Sequence, residues 1–505
     1  MAAQWRQLGF GKMEKTSLTA AYNDCTTSPT TYEKYAKLSF VTTIQNTAML
    51  DLPGVYDDLK TYTYHLCSFV NTPLVRQITG GIHVNDALIY DAWGGLPLEW
   101  TEWWSRWPDH RLAQQDLIDG IDEEDMHTDG CDSTEAEILS ARPASLGSWL
   151  AQLKGLALTR TQRPGQSIAL PEVLEARMKT KKSAEVARAT RLIRDICESR
   201  GITRVVDMGS GQGYLSITLA YLFPDLQVLA IDGSETQVAG SQAFADKLGI
   251  SRDRLTHMVH WIDGSSILAD KVRDWSAGEK CILVGLHACG NLSEHMIRYF
   301  ATEHCMDALA VVGCCYNHIV PRSDTCLEGF PISDALRDKN FTLSPTALMT
   351  GCQAPNNWPR PDPRTSSVFG RRRLYRAMLE KVFYDYAIRA AGDGGERPAW
   401  GIRKGDMVNF TAFAHRAMDC LHVDTAQRPT DKQLRVYEER YRDWEGRIAI
   451  LWTLSVLCCK VVESVIAVDR YCYLTEREEV QDVDVVPVFD AKVSPRNLMI
   501  VATKK

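Results

Sequence analysis

The stretch Thr203-Arg-Val-Val-Asp-Met-Gly-Ser-Gly-Gln-Gly-Tyr-Leu-Ser216 decides the fold class of this chain of 505 residues. Residues 204–208 are a short, Val-rich run, which is typical of a strand buried on both faces. Glycines follow at positions 209, 211 and 213, and residues 214–221 have the pattern of a helix. Glycines at such a turn let the backbone bend sharply and bring its amides close to a ligand. The stretch therefore predicts a strand, a ligand-binding turn and a helix.

The spacing of these glycines discriminates between two kinds of cofactor. The nicotinamide dinucleotide fingerprint, GxGxxG, needs a third glycine where Tyr214 stands. The pattern DxGxGxG fits directly, with Asp207 as its first residue, and resembles the first motif of class I methyltransferases. We therefore expect four residues to bind S-adenosylmethionine: Asp207, Gly209, Gly211 and Gly213.

Strand-like runs alternate with helical spacers after this stretch. The runs are residues 227–231, 257–262, 281–286 and 308–313. This alternation predicts a doubly wound parallel sheet, whose ligands bind outside the carboxyl ends of the strands. Asp232 ends the second strand and is placed to accept hydrogen bonds from ribose hydroxyls. Asp263 ends the third strand, where it can reach an adenine ring.

Two final strand-like runs, residues 483–489 and 497–503, are joined by a connection too short for a crossover helix. They should therefore pair antiparallel. The predicted fold class is α/β, a Rossmann-like seven-stranded sheet with a terminal antiparallel strand, as in class I methyltransferases.

Two helical regions are expected outside this sheet. Residues 1–165 predict an N-terminal helical domain, with helical patterns at 32–50 and 55–70 and an acidic loop at 116–137. Residues 166–325 would form the first part of the sheet domain, 326–480 a helical insertion, and 481–505 the closing strands. The insertion contains Arg371-Arg-Arg373, a helix at 374–388, a loop at 391–396 and a long helix at 432–474. Its arginines could hold an anionic acceptor or simply begin a solvated helix.

A tryptophan cluster lies in the N-terminal region, at positions 93, 100, 103, 104 and 107. Indoles this close could stack on bases. We favour the alternative that they form the core between packed helices.

Polar and sulfur-bearing side chains follow the fourth and fifth strands, which should be neighbours: His287, Cys289, Cys314, Cys315, Tyr316 and Asn317. Three interpretations compete: a zinc site, buried structural cysteines, and a pocket for the methyl acceptor. Adjacent residues of an extended chain point to opposite faces, so Cys314 and Cys315 should not bind one ion, and no metal is expected. We predict that His287, Cys289, Tyr316 and Asn317 orient the acceptor or take its proton.

Composition limits the compartment. The fifteen cysteines include no C-x-x-C pair, which favours a reducing environment, the cytoplasm or the nucleus. The most apolar run, residues 448–459, is shorter than the ~20 residues that a membrane span needs, and no membrane partner is expected. The net charge of −7 is concentrated, because residues 116–137 hold ten acidic side chains and no Lys or Arg.

The chain resembles the methyltransferase-like protein 25 family in DMGSGQGYLS, GLHACGNL, VVGCCY and the terminal FDAKVSPRNLMIVATK. The resemblance implies a class I methyltransferase domain and S-adenosylmethionine, with the donor held by Asp207, Gly209, Gly211, Gly213, Asp232 and Asp263. The family's lysine-pair segment before the glycine stretch commonly has a His where Ala184 stands here. The LHxCG and CC motifs are also similar to tRNA 2′-O-methyltransferases, whose further histidines and cysteines have no match after Cys315, and to a glutathione-transferase-like protein with a methyltransferase domain.

These observations predict an S-adenosylmethionine-dependent methyltransferase acting on a macromolecule, with RNA preferred to protein. The alternatives are a protein methyltransferase and a catalytically silent module that binds the donor. Dehydrogenase activity is a third possibility, which Tyr214 disfavours.

Overall fold

The computed structural model describes residues 50–121, 133–358, 368–388, 401 and 403–505. The predicted helix at 32–50, the central part of the acidic loop and the loop at 391–396 lie outside these residues, apart from Leu50. The described ends of the acidic stretch are helical.

Seven strands form one mixed sheet. They are β1 Arg204–Met208, β2 Gln227–Asp232, β3 Leu255–Val259, β4 Cys281–Ala288, β5 Met306–Gly313, β6 Val480–Pro487 and β7 Leu498–Lys504. Their order across the sheet is β3-β2-β1-β4-β5-β7-β6. The first five strands are parallel, and β7 runs antiparallel to both β5 and β6. This is the predicted class I methyltransferase topology, and the predicted closing hairpin is confirmed.

Consecutive strand residues belong to two different hydrophobic cores, because their side chains alternate between the faces of the sheet. In β1, Val205 belongs to one core and Val206 to the other. Both residues are fully buried, which explains why the strands read as continuous apolar runs.

Nineteen α-helices lie in the described residues. They are α1 Leu59–Val70, α2 Pro73–Arg76, α3 Leu98–Trp104, α4 His110–Asp119, α5 Ser133–Ser140, α6 Ala144–Leu156, α7 Glu172–Glu175, α8 Thr180–Arg200, α9 Tyr214–Leu222, α10 Glu235–Lys247, α11 Ser266–Ser276, α12 Leu292–Thr302, α13 Asp334–Arg337, α14 Pro345–Thr350, α15 Val368–Asp385, α16 Phe410–Cys420, α17 Asp431–Arg440, α18 Glu445–Leu457 and α19 Cys459–Thr475. Helices α8, α9 and α10 supply one core; α11, α12 and α19 pack on the other face together with α1 and α6.

Several predicted elements have other bounds in the structure: the helix predicted at 374–388 is α15, Val368–Asp385, and the run predicted at 483–489 is β6, Val480–Pro487. The third strand is β3, which begins two residues earlier than predicted and ends at Val259, because Leu255 is its buried residue while Trp261 is exposed. The helix predicted at 432–474 is divided into α17, α18 and α19, with a turn at 441–444 and an offset at Cys458. Its apolar periodicity continues across both breaks.

The tryptophan cluster is core, as favoured from the sequence. Trp100, Trp103 and Trp104 are at most 4% exposed. Trp103 donates a hydrogen bond to the carbonyl of Ile138 at 2.8 Å. These rings fasten α3 to the helices that follow it and are not available for stacking on bases.

The chain divides into two compact units: Met1–Ala48 with Asp385–Val436, and Met49–Tyr384 with Tyr437–Lys505. In the described part of the first unit, α16 buries Phe410, Phe413 and Met418. The second unit contains the whole sheet and both hydrophobic cores.

Helices α18 and α19 form a run of 31 residues, Glu445–Thr475, which contains an 18-residue window with a mean hydropathy of 1.9; in the described residues it is the one stretch apolar and long enough to cross a membrane. This window is 78% buried within the protein, and the run carries the buried charged residues Glu463, Asp469 and Arg470. The run is apolar because most of its residues belong to the hydrophobic core of the protein.

Candidate active site

The glycine turn joins β1 to α9 at the carboxyl edge of the sheet. Gly209, Gly211 and Gly213 all have left-handed backbone, with φ of 75°, 55° and 72°. A Cβ at Gly213 would lie 1.9 Å from the hydroxyl of Ser241, whereas a Cβ at Gly211 would meet nothing within 4 Å. Gly213 is thus required for packing, and the turn has open space at Gly211 where a ligand could approach.

Asp207 is buried in β1 below the glycine turn and contacts the first turn of α9. Its side chain is 3% exposed and accepts a hydrogen bond from the Ser216 hydroxyl. Burial raises the pKa of Asp207 to about 6, although the Ser216 hydroxyl and the charge of Lys182 oppose this shift. A carboxyl group in this position supports the turn, and it does not face solvent as a ribose-binding group would.

Asp232 ties the glycine turn to the end of β2. Its Oδ2 accepts a hydrogen bond from the Gly211 amide and its Oδ1 accepts one from the Ser234 amide, each at 2.9 Å. A carboxylate oxygen can accept more than one hydrogen bond. Asp232 is therefore prearranged at the turn and keeps acceptor capacity for ribose hydroxyls.

Asp263 lies beyond β3 and is exposed. Its Oδ1 accepts a hydrogen bond from the Ser265 amide at 2.9 Å, and this contact lowers the pKa of Asp263. Ser265 is the residue that caps α11. The carboxylate is therefore charged at the rim of the sheet, in a position compatible with an adenine amino group.

Trp261 is a site residue that the sequence interpretation missed. Its side chain is 70% exposed, and a Cβ at Gly233 would lie only 2.8 Å from its ring. The indole thus covers the end of β2 directly after Asp232. An exposed aromatic ring at this point could stack on a purine. The available signal was an aromatic residue two positions before Asp263.

His287, near the end of β4, is held by a charged network. Its Nε2 lies 3.0 Å from Oε2 of Glu185, which is 1% exposed. The ammonium group of Lys182 contacts the same carboxylate oxygen at 2.9 Å and also Nε2 of His287 at 2.5 Å. Ser494 donates a hydrogen bond to the other carboxylate oxygen at 2.7 Å. Glu185 and Lys182 were not predicted as site residues.

Glu185 is charged despite its burial. Burial would raise its pKa, but the hydrogen bond from His287, the charge of Lys182 and the Ser494 hydroxyl lower it to about 2. His287 Nε2 faces both this carboxylate, which accepts, and the Lys182 ammonium, which can only donate. In the tautomer that carries its proton on Nε2, the ring donates to the carboxylate, and Nδ1 is the nitrogen that can take a proton. Glu185 therefore orients the imidazole.

The cysteines after β4 and β5 converge. The Sγ atom of Cys289 lies 3.3 Å from those of Cys314 and Cys315, which are 3.6 Å from each other. The expectation that Cys314 and Cys315 point to opposite faces is wrong. The reason is that β5 ends at Gly313, and Cys315, with φ of −97° and ψ of 71°, already begins a 3₁₀ turn.

Asn317 is exposed beside these thiols, and its Oδ1 accepts a hydrogen bond from Cys352 at 3.3 Å. The predicted rim of His287, Cys289 and Asn317 thus lies at the carboxyl ends of β4 and β5. The rim adjoins the glycine turn, since a Cβ at Gly209 would lie 2.9 Å from Leu292, three residues after Cys289.

Tyr316 does not belong to this rim. It is 3% exposed, and its hydroxyl donates a hydrogen bond to Glu463 on α19 at 2.7 Å. Glu463 also pairs with Arg160 at 2.7 Å and Arg496 at 3.0 Å. The interpretation of Tyr316 as an acceptor-orienting group is therefore corrected: its hydroxyl is committed to a buried network that joins α19 to the end of β5.

Comparison with known proteins agrees with this geometry. Residues 181–322 match the family described as "Methyltransferase domain". The chain is 26% identical over 265 residues to "Probable methyltransferase-like protein 25" of Homo sapiens, covering 49% of this chain and 40% of that protein. The Mus musculus protein of the same description is 26% identical over 316 residues, covering 55% and 48%. The resemblance to this family is confirmed, and the chain spans less than half the length of these relatives.

A second group of relatives matches a shorter segment. The "Glutathione S-transferase C-terminal domain-containing protein" of Bos taurus is 29% identical over 153 residues, covering 30% of this chain and 20% of that protein.

Solved methyltransferase structures were also found. An S-adenosylmethionine-dependent methyltransferase from Aquifex aeolicus is 14% identical, covers 34% of this chain and 87% of its own, and has a TM-score of 0.22. Magnesium protoporphyrin IX methyltransferase from Synechocystis with bound S-adenosylmethionine is 19% identical, covers 32% and 73%, and has a TM-score of 0.21. TM-scores this low are not used to assign the fold, which rests on the strand order of the sheet. Together, the strand order, the glycine turn and the match over residues 181–322 establish that the chain contains a class I methyltransferase domain of the S-adenosylmethionine-dependent kind.

Proposed function

We propose that the protein transfers a methyl group from S-adenosylmethionine to a macromolecular acceptor, and that this acceptor is RNA. The observation that carries the catalytic part is His287, which is oriented by the buried carboxylate of Glu185 beside the glycine turn. An acceptor hydroxyl or amine must lose a proton when it is methylated, and an oriented imidazole can take it.

Each part of the site has a distinct role in this proposal. S-adenosylmethionine supplies an activated methyl group, so catalysis depends mainly on alignment. The amides of the glycine turn and the carboxylate of Asp232 would hold the ribose and the amino-acid portion. Asp263 and Trp261 would contact the adenine. Nδ1 of His287 would receive the proton of the acceptor.

A macromolecular acceptor is favoured by the helices outside the matched domain, since α1–α6 and α13–α19 all lie outside residues 181–322. RNA is favoured by the basic start of α15. The side chain of Arg371 is 47% exposed, and its Nε lies 4.0 Å from Oε2 of Glu445, which is a long ion pair. The guanidinium group can therefore contact a phosphate. Arg373 instead stacks on Trp452 at 4.6 Å, and Arg372 is half-buried, so Arg371 is the exposed member of the cluster.

The donor site is tested by calorimetric titration with S-adenosylmethionine and S-adenosylhomocysteine. Asp232→Ala should weaken binding by about 10–100-fold, because one hydrogen bond to a charged group contributes roughly 1.5–3 kcal/mol. Asp253→Ala, an exposed carboxylate at the opposite edge of the sheet, is the matched control and should bind normally. Quenching of Trp261 fluorescence, absent in Trp261→Phe, would provide a second readout. Absence of binding to both ligands would refute the proposed donor site.

The acceptor is tested by incubating cell RNA and protein fractions with donor labelled in the methyl group. Label that ribonuclease removes and protease does not would support an RNA acceptor. Label in protein would refute the RNA assignment and favour protein methylation. Tight donor binding with no transfer to either fraction would favour the silent binding module.

We also propose that the protein acts in the cytoplasm or nucleus. The thirteen cysteines of the described residues are all free thiols, which agrees with a reducing compartment. Fluorescence microscopy of the tagged protein tests this assignment, and accumulation in the secretory pathway would contradict it.

A further inference from the structure

The three thiols of Cys289, Cys314 and Cys315 are the one group of three metal-ligating side chains that the described part of the chain brings together. We call them the thiol triad. Their three Sγ···Sγ distances are 3.3, 3.3 and 3.6 Å. They directly follow the ends of two different strands, so the triad depends on the pairing of β4 with β5 and is not a local feature of one loop.

These distances are close to those of a metal tripod. Three thiolates bound to one zinc ion at about 2.3 Å in tetrahedral geometry lie about 3.8 Å from one another. The triad would have to open by about half an ångström or less. A disulfide would instead need two sulfur atoms to approach to about 2.05 Å and would leave the third thiol unused.

A tetrahedral ion held by three thiolates would keep a fourth coordination position. All three cysteines are half-buried, so solvent reaches the triad. Cys352 is nearby, but its thiol donates to Asn317 Oδ1 at 3.3 Å and lies 3.8 Å from the Cys314 carbonyl oxygen. Three protein ligands with an open position are typical of catalytic zinc sites, whereas structural zinc sites are closed by a fourth protein ligand.

We infer that the thiol triad binds one thiophilic metal ion, Zn²⁺, with its fourth position open toward the rim of His287 and Asn317. Thiolate ligands select soft and borderline ions, which excludes Mg²⁺ and Ca²⁺ as occupants. The inference concerns metal binding alone, so it stands or falls independently of the proposed methyl transfer and its acceptor.

The first experiment measures zinc directly. The full chain, purified under reducing conditions and dialysed first against Zn²⁺ and then against a weak chelator, should retain one zinc ion per chain by elemental analysis. Cys289→Ser should lose it. Cys326→Ser, which changes a half-buried cysteine outside the triad, should retain it. Folded wild-type protein without zinc, or equal zinc in Cys289→Ser, would overturn the inference.

A second measurement keeps the test decisive should Cys289→Ser fail to fold. Co²⁺ bound to wild-type protein should give the near-ultraviolet charge-transfer absorption of thiolate ligands, and Cys314→Ser or Cys315→Ser should each lower it by roughly one third. A Co²⁺ spectrum without this band would refute the site. A disulfide within the triad, found by mass spectrometry after alkylation without reduction, would also refute it.

Discussion

Glu185 is the residue on which the orientation of His287 depends. Glu185→Gln keeps the size of the side chain but removes the charge that holds the imidazole and Lys182. We expect turnover to fall by about 10–100-fold, within the range that a positioned acid or base contributes. The dissociation constant for S-adenosylmethionine should change less than about twofold, because Glu185 is not a proposed donor-binding group.

Glu198→Gln, an exposed carboxylate at the far end of α8, is the matched control and should keep full turnover. Glu185→Asp should restore part of the activity, since it restores the charge. If donor affinity fell as steeply as turnover in Glu185→Gln, the side chain would support the whole site and its role would not be specific to His287.

For Tyr316 we expect a loss of stability without a loss of turnover. Tyr316→Phe removes the hydrogen bond to Glu463 inside a buried network, which should lower the free energy of unfolding by about 1–3 kcal/mol. Turnover of the folded enzyme should remain within about twofold of the wild type. Denaturant unfolding and single-turnover kinetics measure the two effects. Normal stability with turnover lost would restore the catalytic interpretation of this residue.

The contrast between these residues explains what the sequence could predict of the site. Asp207, Asp232 and His287 lie in the last residues of β1, β2 and β4. Their position at the carboxyl edge of the sheet could therefore be predicted from the local sequence pattern. The partner of Tyr316 is Glu463, 147 residues later in the chain, and no local pattern contains that contact. The convergence of Cys314 with Cys315 depends on one backbone conformation after β5.

At the level of elements, β1 was predicted to the residue because glycines mark the end of the strand. β3 was displaced because its polar Thr256 and His257 hide the alternation that Leu255 begins. The helices at 432–474 were merged because no proline marks their breaks. The antiparallel pairing of the last two strands was predictable for a different reason: the ten residues between β6 and β7 are too few for the crossover helix that a parallel pairing would need.

Helices α12 and α19 meet at buried charged groups, which should make stability depend on pH. Burial raises the pKa of Glu294 to about 7, against the charge of Arg470, and the pKa of Asp469 to about 6, against hydrogen bonds from Ile332 and Ser333. Between pH 4.5 and 7 the folded state holds a proton on Glu294 that the unfolded state has lost. The free energy of unfolding should therefore fall as pH rises through this window.

Glu294→Gln, which mimics the protonated carboxyl group, should remove about 2–4 kcal/mol of this pH dependence, as expected for a shift of about two to three pKa units. Urea unfolding at pH 5 and pH 8 measures it. Glu328→Gln, an exposed carboxylate, is the control and should behave as wild type. Equal pH dependence in Glu294→Gln and wild type would show that other groups are responsible.

Glu185 has the opposite effect on the pH dependence of stability, because its pKa is lowered to about 2. The stability that it contributes is lost only as the pH falls from 4.5 toward 2.

For the whole molecule, a net charge of −7 disfavours uniform attraction to RNA. Binding would have to use a local basic surface, and the exposed start of α15 is the candidate. Each phosphate that a protein neutralises adds roughly 0.7–0.9 to the slope of log affinity against log salt concentration. Replacing Arg371 and Arg372 together by Ala should therefore reduce this slope by about 1–2 and weaken RNA binding at low salt.

The measurement is a titration of labelled cell RNA at several salt concentrations, with Arg252→Ala as the control. Arg252 is exposed just before β3, at the edge of the sheet opposite the glycine turn, so its removal should leave the slope unchanged. Arg373 is kept because it stacks on Trp452 and its loss would disturb packing. An unchanged slope in the double variant would exclude the start of α15 as the RNA-binding surface. An equal loss in Arg252→Ala would show that the attraction is not local, and RNA would then lose its advantage over protein as the proposed acceptor.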